Sequence, residues 1–196
     1  MSNRPAQLVG KVMKSRIFTV PNQLTFLRLA FIPLFLIAIE YDRYAWALGI
    51  LVAAGLSDAF DGLLARGLNQ RTPLGAYLDP IADKLLLSSS YLMLAVKARI
   101  TWWLAILVLG RDVLLLVACA VILITVGYRP FPPSIWGKAA TFFEITMVVF
   151  VLVYAVHPFE WLLFARHVCG YCVAAFVIIS GFNYSIVVSR QLHAGG

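Results

Sequence analysis

Six apolar runs, separated by short polar connections, constrain this chain more than any other feature. They cover about Leu24–Ile39, Tyr44–Leu64, Gly75–Val96, Thr101–Val126, Lys138–Val156 and Trp161–Val188. A helix needs about 20 residues to cross roughly 30 Å of hydrocarbon, and the runs approach that length. The first is short and must either stand nearly upright or extend through Asn22. Lipid offers no hydrogen bonds to an exposed backbone, so a spanning segment must satisfy itself as helix. Strand-like alternation is absent. Composition agrees: 62% of the 196 residues are hydrophobic and only 13% are charged, against about 25% charged in soluble domains. The sequence therefore predicts an all-α integral membrane protein with six transmembrane helices. With no internal repeat or low-complexity segment, one six-helix domain over residues 21–190 is expected, followed by a short tail at 191–196.

Residues 1–20 read differently. In "RPAQLVGKVMKSRIF", Leu8, Val9, Val12, Met13 and Ile17 cluster on one helical face, while Arg4, Lys11 and Lys14 lie largely on the other. This pattern predicts an amphipathic helix lying in the membrane interface. No small-residue cleavage site follows it, so no cleavable signal is expected. Positive residues set the orientation. Arg4, Lys11, Lys14, Arg16, Arg66, Arg71, Arg129, Lys138 and Arg190 flank one side; Arg43, Lys97, Arg99 and Arg166 flank the other. The richer side should be cytoplasmic and should carry both termini. The net charge of +7 suits anionic headgroups or a phosphorylated substrate; no nucleic-acid-binding motif is present. Cys119, Cys169 and Cys172 lie within apolar runs. Cys169 and Cys172 form a C-x-x-C without a second Cys or His pair, so they read as packing residues rather than a zinc or redox site.

Against this background, "LSDAFDGLLARGLNQRTPLGAYLDPIADK" is anomalous. It places Asp58, Asp61, Asp79 and Asp83 within one short stretch of a chain with nine acidic residues. Asp58 and Asp61 are spaced i, i+3, and Asp79 and Asp83 i, i+4, so each pair shares a helix face. The short connection from Arg66 to Leu74 makes the two helices antiparallel neighbours, bringing all four carboxylates toward one depth near the cytoplasmic boundary. Four unpaired carboxylates there would repel one another and be costly to desolvate. One or two divalent cations would resolve this, and an all-oxygen donor set suits Mg²⁺, Mn²⁺ or Ca²⁺. A proton or cation pathway in a transporter is a second reading. Structural pairing with Arg66, Arg71 and Lys84 is a third. Gly62, Ala65 and Gly75 beside the carboxylates leave room for a bulky ligand or for close helix packing. Arg66 could hold a phosphate through its planar fork of donors.

Written as a pattern, the stretch is D-x2-D-G-x2-A-R-x8-G-x3-D-x3-D, from Asp58, Asp61, Gly62, Ala65, Arg66, Gly75, Asp79 and Asp83. It resembles the signature of the CDP-alcohol phosphotransferase family at every fixed position. "PNQLTFLRL" at 21–29 resembles that family's first-helix entry. "GRDVLLL" at 110–116 and "PPSIWGKAATFFE" at 132–144 resemble its phosphatidylglycerophosphate synthase and cardiolipin synthase branches. The resemblance implies transfer of a phosphatidyl group from CDP-diacylglycerol to an alcohol, with release of CMP. It further implies that Asp58, Asp61, Asp79 and Asp83 hold two divalent ions, Mg²⁺ or Mn²⁺. Asp83 would also be the general base, and Gly62, Ala65, Arg66, Thr72 and Gly75 would line the CDP-lipid pocket together with Asn22 and Thr25. It implies a homodimer.

The acceptor is read from the remaining cations. Arg111 lies in the fourth apolar run and Lys138 opens the fifth. Cations within a membrane need anionic partners, and a phosphorylated acceptor such as glycerol 3-phosphate would supply one. The alternative is that Arg111 ties helices together through Glu144. Asp112 is its sequence neighbour and, on helical geometry, is not expected to face it. The resemblance of "SIWGKAATFFE" at 134–144 to the glycerol-phosphate branch makes glycerol 3-phosphate the leading acceptor. Phosphatidylglycerol, which would make a cardiolipin synthase, is the runner-up.

Overall fold

The computed structural model describes the backbone of residues 20–68, 73–125 and 134–193, and the side chains of residues 29–57, 84–117 and 134–186. Over these residues the chain forms six helices and no strand: α1 (Val20–Glu40), α2 (Tyr44–Leu68), α3 (Pro73–Val96), α4 (Trp102–Thr125), α5 (Ile135–Val156) and α6 (Glu160–His193). Each apolar run belongs to one helix. Several helices overrun their apolar runs: α1 begins at Val20, α2 reaches Leu68 and α6 reaches His193. Hydropathy marks where a helix must be dry, whereas the helix itself ends only at a cap or a breaker. The interfacial helix expected over residues 1–20 lies outside the described residues, apart from the first residue of α1, and so does Cys119's side chain.

α5, and α6 from Glu160 to Ile186, are long and apolar enough to cross a membrane. At 34 residues, α6 is about 51 Å long at 1.5 Å per residue, so it would project beyond the hydrocarbon. The described apolar stretches Leu29–Glu40, Tyr44–Ser57 and Lys84–Val96 are shorter.

The chain divides into two compact units, residues 1–86 and 87–196, and α3 contributes to both. In the first, α1 packs against α2. Tyr44, Ala47, Leu51 and Ala54 are buried along α2 at alternating steps of three and four, the spacing of one helical face. The small alanines let the neighbouring backbone approach. Phe35, Ala38 and Ile39 are the buried residues of α1. The chain reverses in a tight turn. Asp42 takes a left-handed conformation (φ 56°), its N–H bonds to the Ile39 carbonyl, and the Arg43 N–H bonds to the Ala38 carbonyl. This Schellman closure satisfies carbonyls that the helix end would otherwise leave bare.

In the second unit, α6 packs against both α5 and α4. Ser134 caps α5: its Oγ accepts a hydrogen bond from the Gly137 N–H at 3.0 Å. The buried stripe of α5 runs Gly137, Ala140, Glu144, Met147, Val148, Val151, Leu152. On α6 it runs Leu162, Cys169, Val173, Val177, Ser180. Phe143 of α5 stacks on Phe176 of α6 with centroids 4.8 Å apart. Cys169 and Cys172 are free thiols, and the buried Cys169 points its Sγ at the Phe143 carbonyl, 3.6 Å away.

The distribution of polarity is inverted relative to a water-soluble fold. Phe142, Phe164 and Phe182 are largely exposed, whereas Glu144 is completely buried. Hydroxyls on the helices bond back to carbonyls one turn earlier, as Thr141 does to Gly137, Thr146 to Phe142 and Ser185 to Gly181. Self-satisfied polar atoms under an apolar exterior are what a hydrocarbon solvent selects.

Candidate functional site

The four aspartates of the signature fall on helical backbone, Asp58 and Asp61 in α2 and Asp79 and Asp83 in α3. The i, i+3 and i, i+4 spacings therefore act as helical spacings. Gly62, Ala65 and Arg66 continue along α2, Gly75 lies in the first turn of α3, and Asn22 and Thr25 belong to the first turns of α1. The side chains of all these residues, and Thr72 altogether, lie outside the described residues. Among the described residues no three His, Cys, Asp or Glu side chains come together as a metal site. The aspartate quartet expected to hold divalent ions has its side chains outside the described residues. Carboxylates alone, without thiolate or imidazole, match hard cations.

The described polar centre is a second cluster, within the 87–196 unit. Arg111 of α4 is buried, and so are Asp112, Glu144, Ser90 and Ser180. The Arg111 Nη1 donates to Asp112 Oδ1 at 2.8 Å and lies 3.9 Å from Glu144 Oε1. Its Nη2 donates to Ser180 Oγ at 3.2 Å and approaches the Gly137 carbonyl at 3.5 Å. Ser88 donates to the other Asp112 oxygen at 2.9 Å, and Tyr91 donates from its hydroxyl to the Glu144 carbonyl at 3.1 Å. Four helices are thus tied together through polar contacts. Arg111 Nε is buried without a hydrogen-bond partner.

One expectation is corrected here. Asp112 was not expected to face Arg111, yet it makes the shortest ion pair of the cluster. Helical geometry separates the Cβ atoms of neighbouring residues, but the arginine stem is long enough to carry its guanidinium around to the adjacent carboxylate. Burial then rewards the closure, because an isolated charge there is expensive. The Glu144 contact, the alternative to acceptor binding, also exists, at the longer distance of 3.9 Å. Ser88, Tyr91 and Ser180 escaped the sequence reading. The only local signal was the polar triplet Ser88–Ser90 inside an apolar run.

Lys138 sits one residue beyond Gly137 and is exposed. Its N–H bonds to the Ser134 carbonyl at 3.1 Å in the first turn of α5. Arg111 also lines an open groove of about 280 Å³ between α4 and α6, with Leu107, Gly110, Leu114, Val177 and Gly181 among its walls.

Apolar helices of membrane length, charged residues turned inward and a carboxylate motif on two successive helices define a membrane protein with a polar interior. The chain belongs to the CDP-alcohol phosphatidyltransferase family: that family's profile matches residues 18–180. The family comprises membrane transferases of phospholipid synthesis. A Streptomyces coelicolor protein named cardiolipin synthase (CMP-forming) is 37% identical over 194 residues, covering 94% of this chain and 89% of the relative. An Aquifex aeolicus protein named CDP-diacylglycerol–glycerol-3-phosphate 3-phosphatidyltransferase is 32% identical over 169 residues, covering 85% and 94%. A Mycobacterium tuberculosis relative is 38% identical over 130 residues, and there the match spans 66% of this chain and 62% of the relative's length.

Proposed function

We propose that this protein transfers the phosphatidyl group of CDP-diacylglycerol to glycerol 3-phosphate, releasing CMP and forming phosphatidylglycerophosphate. The observation that carries the reading is the complete eight-residue signature, Asp58 to Asp83, on helical backbone within the region matched by the family. In the reaction the acceptor hydroxyl oxygen forms a bond to the lipid-side phosphorus of the pyrophosphate. The bond from that phosphorus to the oxygen of CMP breaks, and the hydroxyl proton passes to Asp83. Asp58, Asp61, Asp79 and Asp83 would hold two divalent ions, Mg²⁺ or Mn²⁺, as befits a family that generally depends on divalent metals. Bound there, the ions would neutralise charge on the pyrophosphate and its leaving group. Gly62, Ala65 and Gly75 keep the helices open for the nucleotide; Arg66, Thr72, Asn22 and Thr25 are its polar contacts.

On the acceptor side we place Lys138 against the phosphate of glycerol 3-phosphate, because its charge is exposed. Arg111 is assigned to the same acceptor side, its guanidinium oriented by Asp112 and Ser180. The two-carboxylate environment offsets much of its charge. Six transmembrane spans in one domain over 21–190, an interfacial N-terminal helix over 1–20, cytoplasmic termini and active site, and a homodimer complete the reading.

A second acceptor, phosphatidylglycerol, is favoured by one observation. The open groove beside Arg111 is lined mainly by apolar side chains, which suits an acyl chain. One experiment separates the two. Purified protein receives CDP-diacylglycerol, Mg²⁺ or Mn²⁺ and one acceptor at a time; CMP is measured and the lipid product weighed by mass spectrometry. Phosphatidylglycerophosphate formed from glycerol 3-phosphate supports the leading assignment. Product only from phosphatidylglycerol makes the protein a cardiolipin synthase. Absence of CMP release with every acceptor, from folded protein, removes the transferase reading and returns the carboxylates to an ion pathway.

A further inference from the structure

A cavity of about 530 Å³ opens at the N-terminal end of α4, beside α6. It is walled by the turn between α3 and α4, the first turn of α4 and the stretch of α6 from Arg166 to Tyr171, with Met147 of α5 below. Trp103 precedes Arg111 by eight residues on α4, and Gly170 precedes Ser180 by ten on α6. At 1.5 Å per residue the two sites are therefore separated by about 12–15 Å along the helices. The proposed chemistry uses none of the cavity's residues.

Three features give the cavity a chemical preference. Among the described residues its lining contains two arginines, Arg99 and Arg166, beside His167. Its cations are positioned. The Arg166 Cζ sits 5.1 Å from the centre of the Tyr154 ring, a cation–π contact that restrains the guanidinium. His167 Nδ1 bonds to the Leu163 carbonyl at 2.8 Å, which fixes the ring at the wall. The backbone of Arg99 is set by the Schellman closure of α3, in which its N–H bonds to the Leu94 carbonyl at 2.8 Å. Finally, the floor is apolar, made by Ile100, Leu104 and Met147, whereas Trp102, Trp103 and Tyr171 are exposed at the walls. Tryptophan and tyrosine beside basic residues are the composition of a membrane interface.

We propose that this cavity is a binding site for a phosphate-bearing ligand, Arg99 and Arg166 holding the phosphate while an attached apolar chain lies over Ile100, Leu104 and Met147. The apolar floor fits a phospholipid better than a free anion. The site is distinct from the one where phosphatidyl transfer would occur, and its occupancy does not require turnover.

The test uses the full chain in neutral detergent and native mass spectrometry to count retained lipid. Phosphatidylglycerol is offered against phosphatidylcholine, with inorganic phosphate as competitor. The Arg99→Gln/Arg166→Gln double variant removes the charge. Gly170→Leu fills the floor instead, since a Cβ at Gly170 would already lie 3.7 Å from Met147 Cε and 3.8 Å from Leu104 Cδ2. Wild-type protein should prefer phosphatidylglycerol, and both variants should lower its retention about tenfold or more, with CMP release unchanged. Displacement by millimolar inorganic phosphate would assign the same site to a soluble phosphate. Equal retention by wild type and both variants overturns the proposal. Parallel loss of retention and CMP release, in variants that elute as folded protein, overturns the separation from the transfer site.

Discussion

At the level of single residues, the proposed chemistry separates groups that act from groups that hold. Asp83 acts: as the new ester forms, the hydroxyl proton needs an acceptor, and general bases contribute about 10²–10⁴ in rate. Asp83→Asn should lower CMP release at least about 100-fold while CDP-diacylglycerol binding, measured by equilibrium titration, survives. Near-normal turnover would remove Asp83 as the base. Lys138 and Arg111 should part company in the same way. Lys138→Ala should raise KM for glycerol 3-phosphate by about tenfold, the equivalent of roughly 1.4 kcal/mol, with little change in KM for the CDP-lipid. Arg111→Ala removes the 2.8 Å partner of buried Asp112 and should cost about 3 kcal/mol or more of stability, read as a fall in Tm. A KM effect at unchanged Tm would instead make Arg111 a ligand contact. Motif positions such as Asp58 and Asp61 were legible in the sequence, because a spacing along one helix is a local property. The Arg111–Asp112 pair was not, because it depends on a side-chain rotamer that burial selects.

Among elements, the helix ends are the informative features. Ala98 closes α3 in a left-handed conformation (φ 52°), where a Cβ is strained and glycine is not. Ala98→Gly should therefore stabilise the protein by about 0.5–1 kcal/mol, the strain relieved less the entropy lost; a lowered Tm would contradict this. Ser134→Ala removes the cap of α5 and should cost about 1 kcal/mol, seen as faster proteolysis before Gly137 and a lower Tm. Gly137 cannot readily be enlarged. A Cβ there would meet Tyr184 Oη at 3.0 Å and Ser134 Oγ at 3.3 Å, so α6 closes on α5 at the point where Arg111 also arrives. The apolar runs announced each helix, because dryness must be continuous over a span. They understated α6 by its polar end, since nothing in hydropathy forbids a helix from continuing into water.

For the whole molecule, the proposed function rests on cations brought to carboxylates within a membrane protein. Removing divalent metal with EDTA should abolish CMP release, and Mg²⁺ or Mn²⁺ should restore it; metal-independent release would discard the carboxylate-bound ions. The sequence by itself determined the all-helical architecture, the carboxylate signature and the family. Each depends on composition or on spacing along one chain segment, and hydrocarbon punishes any other arrangement. Only the tertiary structure decided that Arg111 is shared among Asp112, Glu144 and Ser180, and that Arg99, Arg166 and His167 line one cavity over an apolar floor. Those meetings join residues as many as 69 positions apart. They depend on how each helix is rotated against its neighbours, which follows from the packing of small and large side chains across interfaces and is written in no single stretch of sequence.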